Sequence, residues 1–297
     1  APCRLNTARC STTPGDGERG RQMQNFGIIF RLSTLASLRS RWFWGYTIII
    51  FGFIALIFSS GVTDSRVMGF TGLTRLLVIF IQACNLVLPV FILVSTVRTL
   101  VKERETNVFE YLLSYPISLG DYYWGKAACA VITTMVPLAA ALAGAALWSC
   151  FMGQTASVGL IALYTALLLA SSLFFIGLSF LISSVVRTQE AGLTCALLIW
   201  LTLIALLDVA LLGFLIKLQV PENIIYAAAL LNPVQVFKIA ALSLFDPVLA
   251  VLGPASYFIL DLFGNTLLIV TALLYLTGAG LLFLYLGYRR FTRRDLL

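Results

Sequence analysis

Six stretches of the chain are apolar for about as long as a helix needs to cross a membrane, and polar or proline-containing residues punctuate them. They run at about residues 44–60, 76–97, 127–152, 158–186, 191–218 and 266–288. A helix rising about 1.5 Å per residue needs roughly 20 apolar residues to cross ~30 Å of hydrocarbon. The third, fourth and fifth stretches exceed that length and are expected to tilt, bend or protrude. Pro89 and Pro137 are the expected bend points. Lipid offers no hydrogen-bond partner to an open sheet edge, and the stretches lack the alternation of barrel strands. The pattern therefore predicts an all-α, polytopic membrane bundle of six transmembrane helices over residues 44–297.

Ahead of the first stretch, Phe26, Ile29, Phe30, Leu32, Leu35 and Leu38 recur mostly at helical spacing, with Arg31, Arg39 and Arg41 among them. This predicts an amphipathic helix over 23–43 lying at the membrane interface. Trp42 and Trp44 mark the boundary as aromatic anchors. Residues 1–22 are polar, lack the apolar core of a secretory signal, and are expected to be disordered. Between the fifth and sixth stretches, residues 219–265 carry Pro221, Pro233, Pro247 and Pro254 among apolar runs. Short helices packed on the bundle, or dipping into it, suit this segment better than a free loop. Small residues crowd 139–146 in the third stretch, which suits close helix packing.

Composition agrees with a lipid-facing surface: of 297 residues 60% are hydrophobic and 11% charged, with a mean hydropathy of +0.97. Charge adds orientation. Sixteen of the 20 Lys and Arg fall in the amino-terminal segment, the second-to-third and fourth-to-fifth connections and the tail; Arg66, Arg75, Lys217 and Lys238 fall opposite. The positive-inside bias then places both termini in the cytoplasm, with the chain in the cell inner membrane. The net charge of +7 is accounted for by topology, without nucleic acid as a partner.

Candidate chemistry is sparse. The six cysteines show no CxxC spacing and four lie within predicted helices, where they read as small packing residues. Histidine is absent, which removes the usual general base and the commonest zinc or copper ligand. No catalytic residue, metal site or cofactor of its own is expected. Gly120 to Lys126 spells GxxxxGK, but Ala127 follows where a phosphate loop needs Ser or Thr for magnesium, and no strand precedes. The neighbouring Lys102-Glu103-Arg104-Glu105 and Phe109-Glu110-Tyr111-Leu112-Leu113 combine charges with an apolar stripe, suited either to a partner's groove or to lying on lipid. Asp208 is a carboxylate inside the fifth stretch, costing roughly 2.5–3.5 kcal/mol unless it faces protein or water. It is a candidate for the transport path or a gate, or for a structural hydrogen bond.

The run from Glu103 through Glu110-Tyr111-Leu112-Leu113-Ser114-Tyr115-Pro116-Ile117-Ser118 to Gly125-Lys126 resembles the first cytoplasmic loop of ABC type-2 permeases. That family often reads Gly-Thr where Asn107-Val108 stand here. Ser183-Ser184-Val185-Val186-Arg187-Thr188 resembles the turn after its fourth span. Within the family, residues 69–73, 207–213, 231–238 and 288–296 are similar to the NosY type, the permease of nitrous oxide reductase maturation transporters. The resemblance covers the chain from about Met23 to its last residue.

It implies a homodimeric permease driven by two copies of a separate ATPase that binds ATP and Mg, with an extracytoplasmic β-helix protein on the outer face. The implied cargo is a sulfur-containing species for the copper-sulfide site of the reductase. Glu103, Glu105, Phe109, Glu110, Leu112, Leu113 and Pro116, within a coupling segment at about 103–126, are expected to meet the ATPase. Asn232 and Pro233, in the extracytoplasmic segment at about 219–265, are expected at the outer partner. The alternatives are an ABC type-2 exporter of lipid, drug or polysaccharide, and a passive assembly scaffold. An intramembrane enzyme would need paired Asp or a Ser-His site within the spans, and this sequence offers one intramembrane Asp and no His.

Overall fold

The structure is a computed structural model and describes residues 16–59, 72–106, 118–151, 158–206, 230–244 and 265–294. Every regular element among them is helical: α1 (Asp16–Leu38), α2 (Arg41–Ser59), α3 (Gly72–Glu105), α4 (Leu119–Phe151), α5 (Val158–Val185), α6 (Gln189–Leu201), α7 (Pro233–Ser243) and α8 (Asn265–Arg294). Helix α6 continues into a π-helical turn, Thr202–Leu206. Four of the helices are long and apolar enough to cross a membrane: Ile81–Glu103, Leu119–Leu147, Gly159–Val185 and Thr266–Arg293. The first and fifth expected spans correspond to α2 and α6, whose described apolar parts, Arg41–Ala55 and Gln189–Ile204, are shorter than a crossing. Four candidate spans thus lie among the described residues, and the fifth expected stretch runs on into residues 207–218, outside them.

Two helix starts differ from expectation. Helix α1 begins at Asp16, ahead of the Met23 at which the amphipathic helix is expected to start. Helix α4 begins at Leu119, so Gly120 to Lys126 is the opening of the third long helix and not a loop before it. Ser118 caps α4, its Oγ accepting from the Asp121 N–H at 3.0 Å.

The bundle is centred on α5, which packs against α8, α3 and α4. Three of its buried serine hydroxyls are satisfied within the helix: Ser172 donates to the Leu168 carbonyl, Ser179 to that of Phe175, and Ser183 to that of Ser179. Lipid would punish any left unpaired. Against α8 the approach is backbone to backbone. A Cβ on Gly177 would stand 2.2 Å from the Gly280 carbonyl oxygen, and one on Gly280 would stand 2.9 Å from the Leu173 carbonyl. Only glycine permits that separation. Near the same seam the buried Tyr123 donates its hydroxyl to the Leu284 carbonyl at 2.8 Å.

Pro89 and Pro137 lie inside α3 and α4. Each removes an N–H from the helical ladder. Beside the gap at Pro137, buried Tyr46 of α2 donates its hydroxyl to the Thr134 carbonyl at 3.2 Å.

Helix α7, within the expected 219–265 segment, dips into the bundle. Pro233, Val234, Val236, Phe237, Ile239, Ala240, Ala241, Leu242 and Ser243 are all buried, against α8, α5 and α3.

Candidate coupling site

One end of the bundle gathers the carboxyl-terminal end of α3, the first turns of α4 and α6, the last turns of α8, and α1. Tyr122 of α4 stacks on Phe291 of α8 with ring centroids 6.1 Å apart. A Cβ on Gly120 would meet the Tyr288 hydroxyl at 3.3 Å, and one on Gly125 would meet Ile29 at 3.0 Å. The segments that the charge pattern put on one side of the membrane therefore do share one end of the bundle.

Glu103 is the hub of this end. Its Oε1 accepts from Lys126 Nζ at 2.5 Å, and its Oε2 accepts from the Tyr122 hydroxyl. The ammonium also lies 5.8 Å from the Tyr122 ring centroid, within range of a cation–π contact. Residues 122 and 126 are one helical turn apart, so both reach a single carboxylate. The last turn of α3 is thereby clamped to the first turns of α4.

Glu105, two residues on, faces another helix. Its Oε2 accepts from the Gln189 backbone N–H at 3.3 Å and from Gln189 Nε2 at 2.9 Å. That places a carboxylate on an otherwise unsatisfied backbone N–H at the start of α6, where the helix dipole favours negative charge. Thr188 caps the same helix through Ala191 at 3.4 Å. Behind it, Gly192 lets α6 close on α3, since a Cβ there would stand 2.7 Å from Val97 Cγ1.

Two of the three carboxylates expected at a partner surface, Glu103 and Glu105, are engaged inside the chain, holding α3 to α4 and α6. Phe109, Glu110, Leu112, Leu113 and Pro116 lie outside the described residues, between the end of α3 and the cap of α4. Asp121 borders that segment, and its Oδ2 is buried with no hydrogen-bond partner among the described residues.

Asp208 also lies outside the described residues. Asn232 is 1% exposed. It caps α7, its Oδ1 accepting from the Val234 N–H at 3.0 Å. Its Nδ2 donates at 2.8 Å to the Leu203 carbonyl in the π-helical turn. Pro233 is buried as the first residue of α7. The side chain that this corner presents outward is Leu231, 73% exposed. Cys84, Cys129 and Cys195 are free thiols, and no group of metal-ligating side chains forms among the described residues.

The profile of the ABC-2 family transporter proteins matches residues 28–296, from within α1 through α8. The chain belongs to that family. Two curated relatives agree with the match. The "probable ABC transporter permease protein NosY" of Stutzerimonas stutzeri is 22% identical over 264 residues, 85% of this chain and 94% of that one. The protein of the same name from Pseudomonas aeruginosa is 24% identical over 239 residues, 73% and 82% of the two chains. This ABC-2 protein is accordingly a multi-pass permease subunit resembling NosY, and its ATPase activity lies in a partner subunit.

Among the residues sequence reasoning missed, Tyr122 and Lys126 complete the Glu103 clamp and Gln189 receives Glu105. The Glu103-to-Lys126 spacing was visible in the sequence, but which carboxylate meets which helix depends on how the helices fold back.

Proposed function

We propose that this permease serves nitrous oxide reductase maturation, moving a sulfur-containing species across the inner membrane for the copper-sulfide site. The similarity to NosY permeases along nearly the whole of both chains carries this reading. The cargo is not a bare copper ion, because the chain has no histidine and only four methionines to relay one.

In this reading the basic end of the bundle and both termini face the cytoplasm, and the permease works as a homodimer with two ATPase subunits. Residues 107–117, with Phe109, Glu110, Leu112, Leu113 and Pro116, are gripped by the ATPase, which binds ATP and Mg. Glu103 and Glu105 act one step behind that contact. Because they tie α3 to α4 and α6, displacement of the gripped segment reaches three helices together. A β-helix protein docks on the outer face near Leu231 to Pro233, and Asp208 lies on the path or its gate.

Purification from the native membrane should bring down an ATPase and a secreted β-helix protein. Deleting the gene should yield reductase lacking its copper-sulfide absorption. A deletion strain that assembles fully active reductase would overturn the maturation role and leave the general exporter reading. Normal transport by Asp208→Asn would remove that residue from the path.

A further inference from the structure

A cavity of about 490 Å³ opens between α1, α2, α3 and α4 at the basic end. Its size falls in the range of about 300–1,000 Å³ typical of small-molecule sites. We propose that it binds a phosphate-type oxyanion, supplied by the headgroup of an anionic lipid or by a free anion.

The charge of the lining favours an anion. Arg98, Lys102, Lys126 and Glu103 all face the cavity. Glu103 and Lys126 neutralise each other. Arg98 and Lys102 remain, and neither has a carboxylate partner among the described residues. They stand four residues apart, on one face of α3. The Arg98 guanidinium is held 5.2 Å from the Trp42 ring centroid, a stacking contact that leaves its in-plane donors free for a bidentate oxyanion.

Two further features of the lining fit the same ligand. Ser40 accepts from the Trp42 N–H at 3.2 Å, so its own hydroxyl proton is left to donate into the cavity. The opening turn of α2 begins there, adding the positive end of a 19-residue helix.

A lipid is the source that the surroundings suit. Trp42, 49% exposed, stands at the cavity's edge, and Trp44, Leu32 and Leu35 are exposed beside it on α2 and α1. Such a surface offers acyl chains a place while the headgroup enters among the cations.

Native mass spectrometry of the full-length permease would count bound phosphatidylglycerol against phosphatidylethanolamine, and equilibrium dialysis would measure inorganic phosphate. The pair Arg98→Gln and Lys102→Gln should weaken phosphatidylglycerol by about 25-fold, near fivefold per basic residue removed. The pair Arg289→Gln and Arg290→Gln, exposed cations at the same end, should leave it unchanged. Arg98→Lys with Lys102→Arg keeps both charges but gives up the planar fork at 98, and should lose no more than about fivefold, separating recognition from misfolding. Phosphate binding that depends on Arg98 and Lys102, without selective lipid binding, would support the oxyanion site with a free anion as its source. Equal losses in the two glutamine pairs, no loss in the first, or equal loss in the charge-conserving pair would each overturn the proposal.

Discussion

Replacing Glu103 by alanine removes the acceptor of two donors at once. The Lys126 side chain is 11% exposed and that of Glu103 is 24% exposed, and Tyr122 is buried. Removing one partner of a fully buried ion pair costs about 3–5 kcal/mol. Here the lysine stem can lift its ammonium toward water, which lowers that figure. The Tyr122 hydroxyl loses a bond to a charged group, roughly 1.5–3 kcal/mol if nothing replaces it. Together these place Glu103→Ala at about 3–4.5 kcal/mol of destabilisation. A double-mutant cycle with Lys126→Ala, followed by equilibrium unfolding in mixed micelles, should show a coupling of about 1.5 kcal/mol or more. Glu103→Gln, which keeps an acceptor, should lose less. A coupling under about 0.5 kcal/mol would mean that the pair is screened like a surface salt bridge, and the clamp would not hold α3 to α4.

Gly177→Ala should cost about 3 kcal/mol by forcing α5 from α8, read by unfolding in mixed micelles; Gly278→Ala, with open space around its Cβ, is the neutral control. Asn232→Ala loses the α7 cap and the bond to Leu203 and should cost about 1–2 kcal/mol. Asn232→Asp keeps the cap acceptor and should recover part of that in the same measurement. Glu105→Ala, at an exposed contact, should change stability by less than about 1 kcal/mol while lowering substrate-coupled ATP turnover in the reconstituted complex. Unchanged coupling would take α6 out of the transmission.

How far each feature could be read from the chain depended on whether its signal was local. Helices α3, α5 and α8 announce themselves by long, predominantly apolar runs, and the basic residues flanking them predict which ends come together. The start of α4 was misplaced because Asp121 and Lys126 resemble loop residues, although capping by Ser118 and pairing with Glu103 let both sit in a helix. That a short helix of segment 219–265 could dip into the bundle was legible in the segment's apolar runs, but the role of Asn232 was not. A conspicuous Asn-Pro pair outside the spans suggests a surface, whereas its carboxamide turns inward to a carbonyl in a π-helical turn that no local pattern marks. Gly177 and Gly280 are 103 positions apart, and a lone glycine in an apolar helix reads only as a weak helix former. Their meeting is a property of the packed pair.

These directional contacts sort the basic end into two groups of helices, with apolar packing of α3 along α5 also running between the groups. Helices α4, α5 and α8 are held together by the Gly177–Gly280 approach, by Tyr123 on Leu284 and by Tyr122 on Phe291. Helices α3 and α6 are held together by Gly192 against Val97 and by Glu105 on Gln189. Glu103 reaches from the second group to the first. Apolar contact between helices is non-directional and yields to small sliding movements, whereas a carboxylate gripping an ammonium and a hydroxyl has one geometry and must break to let the groups part. The segment 107–117 is anchored in both groups, leaving α3 beside Glu105 and entering α4 at Ser118. A pull on it loads the Glu103 clamp directly, and weakening that clamp should alter how force is divided between the groups before it alters the packing of either.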